Sequence, residues 1–527
     1  MVQVALLAFR MAVMLSKGIF KILRFTGLGV FFIMILFVAP KLQNLPSGLL
    51  REFLGIFVLF FMIPVPVYIL INNVLRFAKT DPEYSLLKTV LANREEKELK
   101  GTGSKGLKSL APEGFIFGKQ GSRYVTKAES EDGHIAVLGG AGSGKSSCIA
   151  IPSLISWQST IFAIDIKGEL AEKTADKRSL QGHTVKIMNP LDPDSYGFDP
   201  FFILKNSRNL IQDVKEIVQA IVPVPIGEKD PFWTESSQNI LSAALLFGYE
   251  NHLSFTESIE LLQTTTLPTF FELLEEKGSP QANMFITQLK GLKEETLSSV
   301  GQTLSNRIMV FVSDSDIIDT LNRDIEITPT DLDFGIDVFI QIPEDKIEQW
   351  QSFLTLVVNS FLKSFERRNE AELKANPNPI LFLLDEFPRL GKVQTITNGL
   401  ATLRSKQITI ALFMQSMAQL DLIYGKETRQ VIFDNCQYKA ILRATDQETQ
   451  EYLSKLVGTY ERVKKSQSAN FGALIPDKKG SGVSKTTEER RKIKSEDFGS
   501  LKDIVLLTPN GFTRVNKTPY YEDSNFK

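Results

Sequence analysis

The sequence predicts an α/β protein with a doubly wound, mostly parallel sheet. Several short apolar runs are continuous rather than alternating, as expected for strands that are covered on both faces. Segments with helical periodicity separate many of these runs, which is typical of parallel strands joined by helical crossovers. The predicted strands are Ile135–Leu138, Thr160–Ile166, Thr184–Met188, Val338–Ile342, Ile380–Leu384, Ile408–Met414 and Lys439–Arg443.

A long segment between two of these strands has a different pattern. From about 203 to 324 the strand signals vanish, and segments with helical periodicity follow one another. The pattern therefore predicts an α/β domain over 81–202 and 325–527, with an all-α domain over 203–324 inserted in it. The predicted helices are Leu210–Ile221, Phe232–Gly248, Thr256–Gln263, Pro268–Lys277 and Pro280–Arg307.

The part of the chain near the C-terminus is polar before it becomes apolar again. We interpret the charged stretch from Ser466 to Lys494 as a mobile loop or linker rather than a binding site. The last apolar piece, Ile504–Tyr521, is expected to return to the sheet.

The first 80 residues have the composition of a membrane anchor. Phe53–Leu75 carries no charged side chain and is long enough to cross a bilayer. A second apolar block, Phe25–Pro40, reaches a sufficient length if its helix begins near Gly18 and the side chains of Lys21 and Arg24 snorkel. We therefore predict a transmembrane hairpin of two helices.

Basic residues are more frequent outside this hairpin than in its loop, where only Lys41 and Arg51 occur. The bias predicts that both ends of the hairpin face the cytoplasm. A cleaved signal peptide fits Phe25–Pro40 less well, because no A-x-A cleavage site follows this block. The flanking basic residues are Arg10, Lys17, Lys21, Arg24, Arg76 and Lys79.

The overall composition argues against several classes of protein. The 60 basic and 61 acidic residues give a net charge of -1, so the chain lacks the general positive charge of many nucleic-acid-binding proteins, although a local basic groove is compatible with it. Cys148 and Cys436 are interpreted as reduced thiols rather than a disulfide framework. The three histidines are scattered singly, which does not indicate a zinc site.

A glycine-rich segment follows the first predicted strand. Gly139–Ser146 reads GGAGSGKS and fits the G-x-x-x-x-G-K-[ST] template of phosphate-binding loops. In such a loop backbone N–H groups surround the phosphates, while Lys145 reaches the β- and γ-phosphates and Ser146 ligates Mg²⁺. The residues predicted to bind the nucleotide are Gly139, Gly140, Ala141, Gly142, Ser143, Gly144, Lys145, Ser146 and Ser147.

Two carboxylates follow another apolar strand, Ile380–Leu384. Parallel sheets bind ligands at the carboxyl ends of their strands, which is where Asp385 and Glu386 are expected. We predict that Asp385, together with Ser146, holds Mg²⁺ and that Glu386 polarises the attacking water. The alternative is a helix N-terminus that is capped by acidic residues.

Three further positions are candidates for the same site. Gln415 follows the strand Ile408–Met414 and is suited to contact the γ-phosphate or the attacking water. Arg404 is either an arginine finger for the γ-phosphate of an adjacent subunit or part of a surface salt bridge. Among Asp165, Lys167 and Glu169, one orients water or nucleotide, or the group forms structural ion pairs; the sequence leaves both alternatives open.

These motifs, in their order along the chain, resemble the coupling proteins of type IV secretion systems, the TraG/TraD/TrwB type. Most of the motifs are weak by themselves, and their shared order makes the resemblance specific. The motifs are Gly139–Ser146, Asp165–Leu170, Asp230–Trp233, Leu384–Phe387, Leu403–Ser405, Gln415–Ser416, Gln419–Leu420, Tyr424–Gly425, Asn435–Cys436, Asp446, Ser454 with Gly458, and Lys517–Tyr521.

The resemblance implies a RecA-like P-loop ATPase domain that forms a homohexamer at the bacterial inner membrane. It implies that ATP hydrolysis with Mg²⁺ drives the delivery of substrate to the type IV secretion channel components. The substrate would be single-stranded DNA with its relaxase, effector proteins, or both. The inserted all-α domain is expected to contact substrates or accessory proteins.

Three other functions remain as alternatives. A coupling ATPase for protein effectors alone is not separated from the leading hypothesis by the sequence. A membrane receptor that uses nucleotide only as an assembly signal does not need a catalytic glutamate such as Glu386. A DNA translocase of the chromosome-segregation type would share the membrane anchor and the motor domain, but the large helical insertion argues against this alternative.

Overall fold

The computed structural model describes residues 103–205, 207–225, 227–468 and 482–527. The predicted transmembrane hairpin lies outside these residues. Within the described ranges, no helix is both long and apolar enough to cross a membrane. The described residues fall in one compact unit, Lys100–Lys527.

A mixed sheet of twelve strands forms the centre of this unit, and a separate ribbon of two strands accompanies it. The strands, numbered in chain order, are β1 Lys108–Ser109, β2 Phe115–Gln120, β3 Arg123–Lys127, β4 Ile135–Gly139, β5 Thr160–Ile166, β6 Thr184–Met188, β7 Ile336–Ile342, β8 Ile380–Leu384, β9 Ile408–Met414, β10 Tyr438–Arg443, β11 Thr459–Ser468, β12 Gly482–Arg491, β13 Asp503–Thr508 and β14 Gly511–Asn516.

Helices cover the sheet and occupy most of the chain between β6 and β7. The α-helices are α1 Ile151–Ser156, α2 Glu169–Leu180, α3 Leu210–Ile221, α4 Phe232–Glu250, α5 Phe255–Thr264, α6 Leu267–Lys277, α7 Pro280–Ile286, α8 Glu294–Ile308, α9 Val310–Ser313, α10 Ser315–Leu321, α11 Pro329–Asp333, α12 Gln351–Glu366, α13 Glu370–Ala375, α14 Gln394–Ser405, α15 Met417–Asn435 and α16 Gln447–Val457.

The parallel part of the sheet has the order β10-β4-β9-β8-β5-β7-β6. The register pairs Leu138 with Met414 and Leu384 with Leu412, so β4, β8 and β9 end at the same edge of the sheet. The side chains of β4, β5, β8 and β9 are buried throughout. Burial on both faces explains why continuous apolar runs predicted these strands.

The other part of the sheet is antiparallel and follows the order β1-β3-β2-β14-β13 up to β10. The apolar terminal piece joins the sheet as β13 and β14, as expected from its sequence. The strands β1, β2 and β3 were not predicted, because they are short and contain polar residues, such as Arg123 and Lys127 at the two ends of β3.

Between β6 and β7 the described chain contains helices and no strand. The prediction of one continuous helix over Pro280–Arg307 was wrong, because α7 ends at Ile286 and α8 begins at Glu294. Gly291, which lowers helix stability, lies in the intervening turn. Leu289 is buried there, so the turn keeps an apolar side chain in the core although the helix is broken.

The two ends of the polar segment that was interpreted as a loop are paired strands, so that interpretation was wrong for 466–468 and 482–491, while 469–481 lie outside the described residues. β11 and β12 pair along their whole length, from Thr459 opposite Arg491 to Ser468 opposite Gly482. The two strands pair with each other and not with the main sheet. A ribbon without a sheet partner needs no apolar alternation, so hydrophobic periodicity could not reveal it.

His134, which precedes β4, is held in one tautomer in the core. The residue is 1% exposed, and its Nδ1 accepts a hydrogen bond of 3.1 Å from Ile410 N. Nε2 therefore carries the proton and donates to Leu400 O over 2.6 Å. Burial lowers the pKa of His134 to about 4, so the ring is neutral in the folded protein at pH 7.

We expect the free energy of unfolding to decrease as the pH falls from about 6.5 to about 4. In this window the unfolded chain protonates residue 134 and the folded chain does not, which destabilises the fold by up to about 3 kcal/mol. Denaturant unfolding at several pH values measures the effect. His134→Gln should flatten this dependence, whereas the control His252→Gln, at an exposed position, should retain it. Parallel curves for the parent and His134→Gln would contradict the assignment.

Candidate nucleotide site

A cavity of about 330 Å³ lies at the edge where the parallel strands end. β9 lies between β4 and β8, so the segments that follow these three strands meet there. The structure brings together most of the residues that were predicted for the site. Those that line the cavity are Gly140, Ala141, Gly142, Ser143, Gly144, Lys145, Ser146, Ser147, Asp385, Glu386 and Gln415.

The glycine-rich loop needs its glycines for steric reasons. Gly142 and Gly144 have φ angles of 67° and 97°, which L side chains rarely adopt. A Cβ atom at Gly139 would lie 2.3 Å from Ser143 Oγ. The loop leads directly into a π-helical turn, Ser146–Ala150, that continues as α1. π-Helical turns are rare in proteins, and those that occur are often found at functional sites.

Lys145 is only 8% exposed and points toward the acidic side of the cavity. Its Nζ atom donates a hydrogen bond of 2.8 Å to Gly139 O. The same atom lies 3.6 Å from Glu386 Oε1. The phosphate loop and the segment after β8 are therefore linked by an ion pair.

Glu386 has an unusual backbone conformation, with a φ angle of 46°. A left-handed conformation costs a residue with a side chain about 1–2 kcal/mol, so the surroundings must hold it in place. Gln415 Nε2 donates a hydrogen bond of 3.0 Å to Glu386 Oε1. The other carboxylate oxygen, Oε2, is buried and has no hydrogen-bond partner in the described part of the chain. It is free to accept a proton from a ligand or water.

Asp385 is partly buried beside Glu386, and its pKa lies near neutral pH. Burial raises the pKa of Asp385 to about 7, and the negative charge of Glu386 adds to the effect. The positive charge of Lys145 opposes it. A divalent cation would favour the ionised carboxylate in the same way, because it supplies positive charge at short range.

Asp165, at the end of β5, positions the start of α2. Its carboxylate accepts hydrogen bonds from Leu170 N at 3.1 Å and Ala171 N at 2.8 Å. Burial raises the pKa of Asp165 to about 6, although these two N–H groups favour the charged form. Its contacts within the chain fit the structural alternative that the sequence left open.

Glu344 belongs to the cavity but was not predicted. It follows β7 and lies 3.4 Å from Lys167 Nζ, measured to Oε2, while its Oε1 lies 3.2 Å from Arg389 Nη1. Lys167 has a φ angle of 96°, which again is rare for a residue with a side chain. The sequence could have indicated Glu344 only by its position after a strand. Many other residues of the chain have such a position, so this signal is not specific.

The residues of the cavity fit a polyphosphate with a divalent cation better than a polyphosphate alone. Five acidic side chains and two basic ones line it, so a triphosphate without a cation would meet net negative charge. Ser143 Oγ is buried without a partner among the described residues, which leaves it available to a ligand. The charged residues are Lys145, Lys167, Asp165, Glu169, Glu344, Asp385 and Glu386.

Mg²⁺ bound there would neutralise phosphate charge and polarise the γ-phosphate. Ser146 and Asp385 are the side chains that would hold it, since a hydroxyl and a carboxylate are ligands that Mg²⁺ prefers. Lys145 would bind the phosphates from the side of β4. Glu386 and Gln415 would orient a water molecule from the side of β8 and β9.

Arg404 is the one predicted catalytic residue that the structure does not bring to this cavity. It lies near the end of α14, just before β9 begins, and so at the opposite edge of the sheet from Gln415. Its side chain is exposed and lines a different cavity of about 620 Å³. Within one chain Arg404 cannot contact the nucleotide site, and its role in an adjacent subunit stays a prediction.

Comparison with known protein families identifies the family of this chain. The family model for "Type IV secretory system Conjugative DNA transfer" matches residues 87–527. The chain belongs to this family. The resemblance to type IV coupling proteins that the motifs indicated is therefore confirmed, and it covers the whole described part of the chain.

Individual relatives are distant. The chain is 23% identical over 434 residues to the protein VirD4 of Agrobacterium fabrum, and the match covers 78% of this chain and 62% of that relative. It is 25% identical over 415 residues to the coupling protein TraD of Escherichia coli, with coverage of 75% and 53%. The chain thus spans less than two thirds of the length of these relatives.

Solved structures with the same fold include the conjugative coupling protein TrwB in an unbound form, with a TM-score of 0.61 and 17% identity. The match covers 79% of this chain and 90% of that chain. Another is TrwB in complex with ADP and Mg²⁺, with a TM-score of 0.60, 16% identity and coverage of 79% and 91%. The likeness shows the fold, a TrwB-like α/β fold with a mixed sheet, which fits the RecA-like prediction.

We expect the affinity for ATP in the presence of Mg²⁺ to rise with pH up to about 7, because a protonated Asp385 is a poor metal ligand. Below this pH the affinity should fall by up to about tenfold per pH unit if one proton is released. Isothermal titration calorimetry in buffers of different ionisation enthalpy measures both quantities. Asp385→Asn should lose the dependence, and binding without Mg²⁺ should not show it. The same slope in Asp385→Asn would exclude this carboxyl as its source.

Proposed function

We propose that this protein is an ATPase that couples nucleotide hydrolysis to the delivery of substrates into a type IV secretion channel. The observation that carries the proposal is the convergence of Lys145, Asp385, Glu386 and Gln415 on one cavity. This convergence occurs in a chain of the conjugative DNA transfer family. TrwB, which has the same fold, has been solved with ADP and Mg²⁺ and with an ATP analogue, which supports these ligands for the cavity.

In the proposed reaction, the catalytic side chains act at the edge of the sheet where the parallel strands end. Glu386 uses Oε2, which has no other partner among the described residues, to accept a hydrogen bond from the attacking water. Gln415 holds Oε1 and so fixes the direction of the carboxylate. Lys145 compensates the charge that develops on the γ-phosphate.

We further propose that the active form is a homohexamer at the bacterial inner membrane, anchored by the predicted hairpin in the first 80 residues. In such a ring Arg404 would serve the site of a neighbour, which is consistent with its exposure and its distance from the site of its own chain. The predicted domains, an ATPase domain of 81–202 and 325–527 and an all-α domain of 203–324, belong to this proposal.

The charge distribution supports a division of labour between these two domains. The segment 203–324 contains 17 acidic and 9 basic residues, whereas 81–202 and 325–527 together contain 43 of each, and the excess of basic residues in the chain lies in the first 80 residues. An acidic helical domain repels nucleic acid and favours contact with basic polypeptides, such as a relaxase, an accessory protein or an effector. The ATPase domain has no net charge and does not share this repulsion, so we propose that single-stranded DNA contacts it through a local basic groove.

We expect Lys145→Ala to reduce ATP turnover by at least about a hundredfold, because the variant loses a charge that stabilises the transferred phosphate. Turnover of the full chain in lipid nanodiscs, measured as phosphate release, tests this. Lys426→Ala is a matched control, since Lys426 is exposed and pairs only with Glu448 at the surface.

Equal turnover in Lys145→Ala and the parent would remove the site assignment. Glu386→Gln separates hydrolysis from binding, because the amide keeps the size of the side chain but cannot act as a base. If Glu386→Gln hydrolysed ATP like the parent, Glu386 would not be the base; if both hydrolysed ATP no faster than Lys145→Ala, the protein would act as a receptor that uses nucleotide only as an assembly signal.

We expect the full chain to bind single-stranded DNA at low salt and to lose affinity steeply as salt increases. DNA should also stimulate ATP turnover, as required for a motor that moves it. Fluorescence anisotropy with labelled oligonucleotides over a salt series measures the first effect. Absence of binding at the lowest salt would favour the alternative of a coupling ATPase for protein effectors alone. If the protein moved along DNA in the absence of any secreted substrate, this result would favour a DNA translocase of the chromosome-segregation type.

A further inference from the structure

The segment that follows Glu386 is a tightly held turn. It consists of a single 3₁₀ turn, Phe387–Leu390, followed by Gly391 and Lys392, and it ends where Val393 precedes α14. Gly391 has a φ angle of 85°, and a Cβ atom there would lie 2.8 Å from Gln351 Cγ. We call residues 387–393 the post-glutamate turn. Its shape determines where the chain directs the carboxylate of Glu386.

One side chain, Tyr424, contacts this turn at both of its ends. Its hydroxyl donates a hydrogen bond of 3.2 Å to Gly391 O and accepts one of 3.0 Å from Val393 N. Its ring stacks on that of Phe387, with centroids 5.4 Å apart and an angle of 24° between the planes. Tyr424 is 2% exposed, and burial raises the pKa of its phenol, so it remains a donor at all physiological pH values.

The helix that carries Tyr424 also begins beside the nucleotide site. α15 follows directly on Gln415 and Ser416, and Ser416 caps it by accepting a hydrogen bond from Gln419 N. The non-helical Gly425, with φ and ψ angles of 76° and 161°, interrupts α15 immediately after Tyr424. Gln415, which precedes this short helical piece, therefore contacts Glu386, and Tyr424 at the end of the piece contacts the post-glutamate turn.

A second helix supports the turn from another side. Thr355 Oγ1 of α12 donates a hydrogen bond of 2.7 Å to Leu390 O, and Gln351 Nε2 donates one of 3.3 Å to Arg389 O. These contacts fix the middle of the turn but do not reach Phe387 or Val393. Only the hydroxyl and ring of Tyr424, among the side-chain contacts described above, act on both ends.

Glu386 requires such support because its left-handed backbone conformation is unfavourable by about 1–2 kcal/mol. We propose that Tyr424 is a positioning residue for Glu386: its contacts to Phe387, Gly391 and Val393 hold the post-glutamate turn, and thereby the carboxylate that Gln415 also contacts, in the orientation that hydrolysis needs. The inference rests on the proposed ATPase function and names a residue outside the cavity through which the catalytic glutamate is aligned.

The test compares Tyr424→Phe with the parent as full chains in nanodiscs. The variant keeps the ring on Phe387 and loses only the hydroxyl, so two backbone groups of the turn lose a partner. We expect kcat for ATP to fall about tenfold or more, because small displacements of a catalytic group have effects of this size. The dissociation constant for ATP with Mg²⁺ should stay within about twofold, since Tyr424 does not line the cavity.

Tyr438→Phe is a matched control at the opposite edge of the sheet. Tyr438 is 6% exposed, its ring stacks on Phe117 at 5.8 Å and 24°, and its hydroxyl donates to Glu131 Oε2 over 3.3 Å. The control also loses a hydroxyl from a mostly buried tyrosine that stacks on a phenylalanine. It should reduce the melting temperature to a similar extent as Tyr424→Phe and leave kcat unchanged.

A double-mutant cycle with Glu386→Gln distinguishes positioning from a general structural role. If Tyr424 acts through Glu386, Tyr424→Phe has little further effect on turnover once the carboxylate is absent. Additive losses, an unchanged kcat in Tyr424→Phe, or an equal loss in Tyr438→Phe would each overturn the inference and leave the proposed function intact. A parent that turns over ATP no faster than Lys145→Ala would overturn the proposed function, and the inference with it.

Discussion

The order and register of three parallel strands determine the rest of the site. β9 lies between β4 and β8, and Leu138, Met414, Leu384 and Leu412 are paired so that all three strands end at one edge. The residues that come next are then close enough for a hydrogen bond between Gln415 and Glu386 and an ion pair between Glu386 and Lys145. A shift of one strand by a single residue would reverse its side chains and separate these groups.

The same edge collects more negative than positive charge, which gives the cavity its chemistry. Burial makes the charged form of Asp385 unfavourable, and Glu386 beside it adds repulsion. An isolated cavity of this kind is electrostatically unfavourable, and a cation bound with a polyphosphate relieves the repulsion between the carboxylates. The charges that line the cavity therefore favour a polyphosphate that is bound together with a divalent cation such as Mg²⁺.

The segment after Glu386 connects this chemistry with the helices between β6 and β7. Lys392, in the post-glutamate turn, donates a hydrogen bond of 2.9 Å from Nζ to Val224 O, in the connection between α3 and α4. Tyr424 holds the same turn from α15. The post-glutamate turn thus contacts the helical segment directly.

The sequence by itself determined the parallel strands, the glycine-rich loop, the two acids after β8 and the membership of the family, because each depends on local pattern or on order along the chain. It did not reveal the break at Gly291 between α7 and α8, or the polar ribbon of β11 and β12, since neither has a hydrophobic period of its own. Only the tertiary structure decided that Arg404 lies at the opposite edge from Gln415 and that Tyr424 contacts the turn that follows Glu386. Positions of this kind depend on which strands become neighbours and how helices pack on them, and residue spacing along one chain does not contain that information.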